Sequence, residues 1–188
     1  MSDKKEQIIE TTAALIHFKG YESTKLSDIM EASEIGKGQF YHYFSSKRDL
    51  GLHVVDYYVN IGREQLISGV FDLPDTSEQK MVNMLQWAVR YHNYPSKNSG
   101  CPFGNLALEM SEHDEEFRKR IHALFEEWIG RLELVIKDLQ GEHQALQKAR
   151  AVVAQIQGGI LLMKNYQDDR ILGDIIDRIH SQYITEAI

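Results

Sequence analysis

The sequence predicts an all-α protein of about nine helices, and three observations support this prediction. Apolar residues recur every three or four positions along most of the chain, whereas the alternation that marks a half-buried strand is almost missing. Only three prolines occur in 188 residues, and Pro74, Pro95 and Pro102 all stand where the helical pattern breaks. With 43% apolar and 26% charged residues, the composition is that of a globular protein with a sizeable core, which excludes a disordered or collagen-like chain.

Four helices are predicted in the first third of the chain, of which the second and third are short and the fourth is longer. Gly20 ends the first helix in a position that favours a left-handed cap, and Ser46 provides a side-chain cap for the fourth. The apolar positions that define the four helices are, in order, Ile9, Ala13 and Ile16; Leu26, Ile29 and Met30; Phe40 and Phe44; and Leu50, Val54, Tyr57, Tyr58 and Ile61.

A break at residues 71–77 separates these from five further helices. The fifth covers residues 78–94, and a turn-rich stretch at 95–100 leads into the sixth, which begins at Pro102. A sustained apolar stripe defines the seventh, and two amphipathic helices follow it. The apolar positions of the last three are Phe117, Ile121, Phe125, Trp128, Leu132, Val135 and Leu139; Ala149, Val152, Val153, Ile156, Ile160 and Met163; and Leu172, Ile175, Ile176, Ile179 and Tyr183.

Charged residues are distributed unevenly along the sequence. The formal net charge is −7, which excludes a basic protein that coats nucleic acid. Residues 1–48 are balanced, with seven basic and seven acidic side chains, so residues 49–188 carry the whole acidic excess. Residues 37–48 contain Lys37, Lys47 and Arg48 but no acidic residue, which leaves a local, N-terminal opportunity for binding phosphate.

Cysteine content and hydropathy indicate the compartment. Cys101 is the single cysteine, so neither an intramolecular disulfide nor a multi-cysteine zinc site can form. Residues 1–10 are polar and lack a secretion signal, and the longest uncharged stretch, residues 151–163, spans about 20 Å as a helix, which is short of a bilayer core. We expect a soluble cytoplasmic protein with no membrane partner and no cofactor.

Residues 24–44 are predicted to form a helix, a tight turn at 33–36 and a second short helix. In a helix-turn-helix the second helix enters the DNA major groove with its first turn, which must be small or polar. Lys37, Gly38 and Gln39 meet this requirement, because glycine permits close approach, glutamine can pair with an adenine edge and lysine can reach a guanine or a phosphate. Each residue alone is more often core or solvated, but together they favour DNA binding. Side chains that could contact phosphates follow, and they are Tyr41, His42, Tyr43 and Lys47.

A longer pattern surrounds this motif. It consists of Gly20, Tyr21, Thr24, Asp28 and Ile29, the run Gly36, Lys37, Gly38, Gln39, Phe40, Tyr41, His42, Tyr43 and Phe44, and then Ser46, Lys47 and Leu50. The pattern resembles the N-terminal signature of the TetR family of one-component transcriptional repressors, and residues 100–107 resemble a segment of one branch of its regulatory domains. Gly36 stands where many relatives have Ser or Thr, so the third helix lacks a side-chain cap, at a cost of only a few tenths of a kcal/mol.

The resemblance implies a homodimer that binds a palindromic double-stranded DNA operator and is released by a small apolar, aromatic or electrophilic effector. It implies a DNA-binding domain at residues 1–48 and an effector-binding and dimerisation domain at residues 49–188. The fourth helix, residues 50–67, is expected to couple the two, because it joins them without a flexible linker. By position in the motif, the base-reading residues would be Lys37, Gly38 and Gln39, and the phosphate-binding residues Thr24, Tyr41, His42 and Lys47.

The last two helices have apolar faces larger than one small body needs to cover. Gly158 and Gly159 would each cost about 1 kcal/mol in helix propensity, which is tolerable where helices approach closely. A two-fold axis would build a four-helix dimer seam from these helices, and internal packing is the alternative. The predicted seam residues are Ile156, Gly159, Met163, Ile175 and Ile179.

Helices five to seven supply soft and aromatic side chains that could line an effector pocket, although any one of them is more often core. Cys101 precedes Pro102 and would be the N-cap of the sixth helix, where the helix dipole stabilises a thiolate. A thiol-based sensor of oxidants or electrophiles is therefore an alternative, against a small buried apolar cysteine. The predicted pocket residues are Met84, Trp87, Tyr91, His92, Cys101, Phe103, Met110, Phe125 and Trp128.

Two other classes of function are alternatives to a DNA-binding regulator. An enzyme is not indicated, because the common nucleotide, zinc-protease and hydrolase motifs are missing. A helical ligand-binding or scaffold protein that does not recognise an operator is the second alternative. One cluster of potential metal ligands is interpreted as a solvated helix start, and it consists of Glu112, His113, Asp114 and His122.

Overall fold

The structure is a computed structural model that describes residues 3–93 and 99–184. Within these two ranges the regular structure is entirely helical, which confirms the predicted fold class. Among these residues, no helix has the length and apolar character needed to cross a membrane. The part of the chain that the structure describes contains nine α-helices, which are α1 (Asp3–Lys19), α2 (Leu26–Ala32), α3 (Lys37–Tyr43), α4 (Lys47–Gly62), α5 (Ser77–Asn93), α6 (Pro102–Met110), α7 (Glu115–Gln140), α8 (Ala145–Tyr166) and α9 (Arg170–Tyr183).

Helix ends lie where the sequence places capping signals. Gly20 has φ +87° and its N–H donates to the Ile16 carbonyl over 2.8 Å, which confirms the left-handed cap of α1. The Ser46 hydroxyl accepts the Asp49 N–H over 3.0 Å and so caps α4. Pro102 is the first residue of α6, as predicted. Most of the predicted turn at 95–100 lies outside the described residues.

Helix α4 continues without a break into a π-helical segment, Arg63–Phe71. The Asp72 N–H donates to the Ile67 carbonyl, five residues back, over 2.9 Å. A Cβ at Gly69 would lie 3.1 Å from the Glu64 carbonyl oxygen, so a glycine suits this crowded point of the wider turn. Apolar periodicity does not reveal the segment, because its template assumes 3.6 residues per turn.

The chain packs as two compact units. The first consists of Met1–Ile61 with Pro102–His122, and the second of Gly62–Cys101 with Ala123–Ile188. This division by packing differs from the functional division expected at residue 48, because nearly all of α4, the whole of α6 and the first two turns of α7 belong to the same unit as α1–α3. A Cβ at Gly51 would lie 2.6 Å from the Tyr21 ring and 2.8 Å from the Phe117 ring. The assignment of separate functions to residues 1–48 and 49–188 stays a prediction.

The core of the first unit is built around aromatic side chains of α3 and α7. Phe40 and Phe117 are fully buried, and the Phe40 and Phe44 rings are 5.7 Å apart. The Tyr58 hydroxyl donates to the Ala13 carbonyl over 2.8 Å, which satisfies a buried polar group between α4 and α1. The buried ring of Phe40 thus anchors the short α3 in the core of the first unit.

In the second unit, α8 packs along α9, and α5 packs on α9 and on the π-helical segment. A Cβ at Gly159 would lie 3.2 Å from Ile175 Cδ1 and 3.3 Å from Leu172 Cδ1. The glycine therefore allows a close approach of α8 to α9 within the same chain. The largest side chains completely buried in this unit include Met81, Met84, Leu132 and Ile136.

Candidate nucleic-acid interface

A tight turn fixes α3 relative to α2. Glu34 has φ +53°, the left-handed conformation in which a C-terminal helix cap is usually glycine. Its N–H donates to the Glu31 carbonyl over 3.1 Å, and the Ile35 N–H donates to the Met30 carbonyl over 2.9 Å. This pair of bonds is the Schellman motif, and it reverses the chain between the two helices as the sequence predicts.

The first turn of α3 is exposed while its middle is anchored. Lys37, Gly38 and Gln39, here called the recognition turn, are all exposed, whereas Phe40 is completely buried. Gly36 is the N-cap and makes no side-chain cap hydrogen bond, as the sequence predicts. One buried ring therefore holds a helix whose leading turn is available to a partner.

The predicted phosphate contacts differ in exposure. Tyr41 is 50% exposed and His42 is exposed, while Tyr43 and Lys47 are partly buried. Thr24 is completely buried, and its hydroxyl donates inward to the Gly20 carbonyl over 2.6 Å. In this conformation the side chain of Thr24 is inaccessible and its hydroxyl proton is already donated, so its contact with a phosphate stays a prediction.

Electrostatic contacts fix the start of α4 behind the recognition turn. The Asp49 carboxylate accepts hydrogen bonds from the Ser45 N–H over 2.8 Å and from its hydroxyl over 3.1 Å. The Arg48 guanidinium donates to both oxygens of Asp114, over 2.5 Å and 3.0 Å. Of the basic residues in the acid-free stretch, Arg48 is therefore already paired.

The free energy of unfolding of the first unit is expected to fall as the pH drops below about 4. The hydrogen bond from the Ser45 N–H holds the pKa of Asp49 below its ordinary value of 3.8. Hydrogen bonds from Lys19 and Arg48 likewise lower the pKa of Asp28 and of Asp114. A carboxyl group with a lowered folded-state pKa stabilises the fold above its unfolded-state pKa, and this contribution is lost as the pH falls through the folded-state pKa.

Urea unfolding of the wild type and of Asp49→Asn, followed by circular dichroism across the acidic range, measures this effect. The variant is expected to show a shallower loss of stability with acid, because one of the three carboxyl groups no longer titrates. Equal acid dependence in both proteins would exclude a contribution from Asp49.

Glu109, which no sequence motif singles out, contacts the DNA-binding segment. Its carboxylate accepts hydrogen bonds from the Tyr21 N–H over 2.8 Å and from the Glu22 N–H over 2.7 Å. Burial raises the pKa of the adjacent Tyr21 to about 12. No local pattern indicates this contact, because the partners are separated by 88 and 87 residues.

Asp114 is a helix cap and an ion-pair partner rather than a solvated residue. Its Oδ1 accepts the Glu116 N–H over 2.9 Å and the Phe117 N–H over 3.4 Å, so it caps α7 in addition to pairing with Arg48. In the described part of the chain, no three His, Cys, Asp or Glu side chains are grouped to hold a metal ion.

The predicted pocket residues fall in both units. Five of them form an aromatic cluster in the second unit, in which the Trp87 ring stacks on Tyr91 at 5.1 Å and meets Trp128 edge-on at 5.7 Å. Trp128 Nε1 donates to Met84 Sδ over 3.3 Å. Phe103 and Met110 lie on α6 in the first unit. The aromatic cluster consists of Trp87, Tyr91, His92, Phe125 and Trp128.

A groove of about 370 Å³ lies elsewhere in the second unit, between α5 and α9. Both apolar and polar side chains line it, and none of the predicted pocket residues is among them. The lining residues are Val82, Leu85, Gln86, Val89, Arg90, Ile176, Asp177 and His180.

Cys101 is 3% exposed at the start of α6, and its Sγ lies 3.6 Å from Gln157 Nε2. Burial of this kind is typical of a small structural cysteine, since reactive thiols lie in accessible electropositive sites.

The predicted dimer-seam residues mostly face inward. Ile156, Met163 and Ile179 are completely buried in the single chain, and Gly159 contacts α9. Such side chains have little free surface to lose to a partner, and their assignment to a dimer seam stays a prediction. Ile175 is the one predicted seam residue that keeps partial exposure.

Comparisons with known proteins agree with this geometry. The family described as "Bacterial regulatory proteins, tetR family" matches residues 8–54, and "Transcriptional regulator LmrA/YxaF-like, C-terminal domain" matches residues 78–178. An uncharacterized HTH-type transcriptional regulator from the lacX 3′ region of Lactococcus lactis is 36% identical over 185 residues, covering 97% of this chain and 94% of that protein.

Solved structures share the fold. A TetR transcriptional regulator from Chloroflexus aurantiacus superposes with a TM-score of 0.86 at 25% identity, covering 95% of this chain and 93% of the other. The reduced form of Escherichia coli NemR gives a TM-score of 0.85 at 21% identity, covering 99% and 100%. The helix-turn-helix geometry, the two family matches and the full-length relative together show that the chain belongs to the TetR family of bacterial transcriptional regulators.

Proposed function

We propose that this chain is a homodimeric cytoplasmic repressor that binds a palindromic operator and is released by a small apolar or aromatic effector. Regulation of transcription through DNA binding belongs to the family as a whole. The proposal adds the residues that read DNA, the dimeric state and the response to an effector.

The exposed recognition turn is the observation that carries the proposal. A Cβ at Gly38 would meet nothing within 4 Å, so packing within the protein does not require a glycine there. A glycine inside a helix nevertheless costs about 1 kcal/mol relative to alanine. Close approach of the α3 backbone to a base pair explains this cost, with Gln39 and Lys37 on either side to bind base edges or phosphates.

A second copy of the chain is proposed to pack on the outer face of α8. Leu162 and Tyr166 are 44% and 69% exposed, and a Cβ at Gly158 would meet nothing within 4 Å. These three residues follow one another at intervals of four and so form one stripe on the helix surface. A palindromic operator presents its two half-sites in successive major grooves, about 34–36 Å apart, so a two-fold dimer is expected to bind one half-site with each chain.

The aromatic cluster is proposed to bind the effector. Trp87 is 6% exposed, and its indole N–H has no acceptor in the part of the chain that the structure describes. An effector with an aromatic body and an acceptor oxygen could satisfy this donor. The burial of Cys101 favours this mode over covalent sensing by the thiol.

Selection of duplexes from a random pool, followed by anisotropy titration of the selected duplex, tests operator binding. Gln39→Ala is expected to weaken binding by about tenfold and to relax selection at one base pair of each half-site, since a bidentate contact contributes about 1–3 kcal/mol. The dependence of the affinity on salt is expected to stay unchanged, because glutamine carries no charge.

Gln86→Ala, an exposed glutamine on α5, is the matched control and should bind like the wild type. Recovery of no consensus duplex would refute the operator proposal. An equal loss on every duplex for Gln39→Ala would refute base contact by Gln39. An effector is then sought by screening aromatic carbonyl compounds for release of the selected duplex.

A further inference from the structure

We propose that Glu109 is a positioning residue for DNA binding, which acts by holding the turn after α1 so that Lys47 presents its ammonium group to a phosphate. The inference rests on the proposed phosphate contact of Lys47. It assigns a role in operator affinity to a side chain of α6 that lies outside the helix-turn-helix.

The first step is a bidentate contact between Glu109 and the backbone. The two carboxylate oxygens accept the N–H groups of Tyr21 and Glu22 over 2.8 Å and 2.7 Å. Hydrogen bonds to an ionised acceptor are about twice as strong as neutral ones, and two in parallel fix direction as well as distance. We call this contact the Glu109 clamp.

Gly20 fits the clamp closely. A Cβ at Gly20 would lie 3.2 Å and 3.3 Å from the two Glu109 oxygens. The same residue has φ +87°, which L side chains adopt only with strain. The glycine therefore ends α1 and also leaves room for the carboxylate beside the turn.

The second step connects the clamped turn to Lys47. The Lys47 ammonium lies 4.4 Å from the centroid of the Tyr21 ring, and its Nζ donates to the Glu22 carbonyl over 3.4 Å. The two residues whose N–H groups are clamped are thus the two that hold Lys47. The Tyr21 ring is itself fixed edge-on against Phe117 at 5.1 Å.

The expected change in DNA affinity is opposite in sign to the effect of charge alone. DNA is a polyanion, so removal of any nearby carboxylate would by itself tighten binding. Loss of the clamp would instead release Lys47 and weaken binding. A variant that loses a negative charge and binds DNA less tightly is therefore hard to explain by charge alone.

The experiment compares the full-length wild type, Glu109→Ala, Glu109→Gln and Lys47→Ala on the selected duplex over a range of salt concentrations. Glu109→Ala is expected to bind about tenfold less tightly, within the usual coupling between contacting residues. The slope of log affinity against log salt concentration should be shallower by about 0.9 for each chain bound to DNA, because each chain loses one phosphate contact. Glu109→Gln keeps one acceptor oxygen and is expected to be intermediate.

The double variant separates positioning from a general loss of structure. In the Lys47→Ala background, Glu109→Ala is expected to change neither affinity nor salt dependence further. Glu112→Ala removes an exposed carboxylate three residues along the chain and serves as the charge control, with affinity equal to or above the wild type. Thermal unfolding of each variant reports the folded fraction.

Three outcomes would overturn the inference. These are wild-type affinity of Glu109→Ala, an affinity loss without a change in salt dependence, and the same loss in the Lys47→Ala background. Failure of the wild type itself to bind any duplex would refute the proposed function, and with it the inference, whereas the other outcomes leave the proposed function standing.

Discussion

Phe40→Ala is expected to destabilise the first unit by about 3–5 kcal/mol, the usual cost of truncating a fully buried phenylalanine. Phe40 is the one buried residue of the seven in α3, and its ring packs on those of Tyr41 and Phe44 at 5.2 Å and 5.7 Å. A helix of this length is not stable without tertiary packing. Operator binding should therefore fall along with the stability of α3.

Hydrogen exchange of the α3 and α8 amides, together with urea unfolding, measures this effect unit by unit. Protection is expected to be lost in α3 and kept in α8. Tyr41→Ala is the matched control, since it truncates the next aromatic ring in the sequence, which is 50% exposed, and it should cost about 1 kcal/mol or less. Equal destabilisation by the two variants would contradict the role of Phe40 as the anchor.

Gly51→Ala is expected to destabilise the same unit by about 1–3 kcal/mol, because overpacking forces buried groups to move. The added Cβ would lie 2.6 Å from the Tyr21 ring and 2.8 Å from the Phe117 ring. Tyr21 and Phe117 are 6% and 0% exposed, so neither ring can swing into solvent. This destabilisation is opposite to the usual effect, because a change from glycine to alanine inside a helix normally stabilises the protein.

Gly130→Ala in α7 is the control, because it makes the same change at a helix position without close neighbours. A Cβ there would meet nothing within 4 Å, so the substitution is expected to stabilise by up to about 1 kcal/mol. Urea midpoints of both variants decide the comparison. A stabilised Gly51→Ala protein would show that the contact between α4 and the two rings is looser than the structure describes.

Local signals made much of the fold predictable. Gly20, Ser46 and Pro102 each act within a few residues of a helix end, and each lies where the sequence places it. The recognition turn is exposed and Phe40 is buried, as expected for small and polar residues that precede a large apolar one.

Long-range contacts were not predictable in this way. The Glu109 clamp joins residues 87 and 88 positions apart, and the pair of Arg48 and Asp114 is separated by 66. Apolar periodicity located the buried face of α8 but not its partner, which is α9 of the same chain at Gly159. The π-helical segment was not predictable, because its number of residues per turn differs from that of an α-helix.

The first unit is discontinuous in sequence, since it combines Met1–Ile61 with Pro102–His122. This matters for engineering regulators by exchanging parts. A chimera cut at residue 48 would carry the recognition turn into a foreign body without Glu109, Asp114 or Phe117, and so without the clamp, the partner of Arg48 and a core ring. A transplant designed as two segments, with residues 102–122 moved along with residues 1–61, would keep all three. The part of this chain to be transplanted for DNA recognition is therefore a pair of segments that are separated in the sequence.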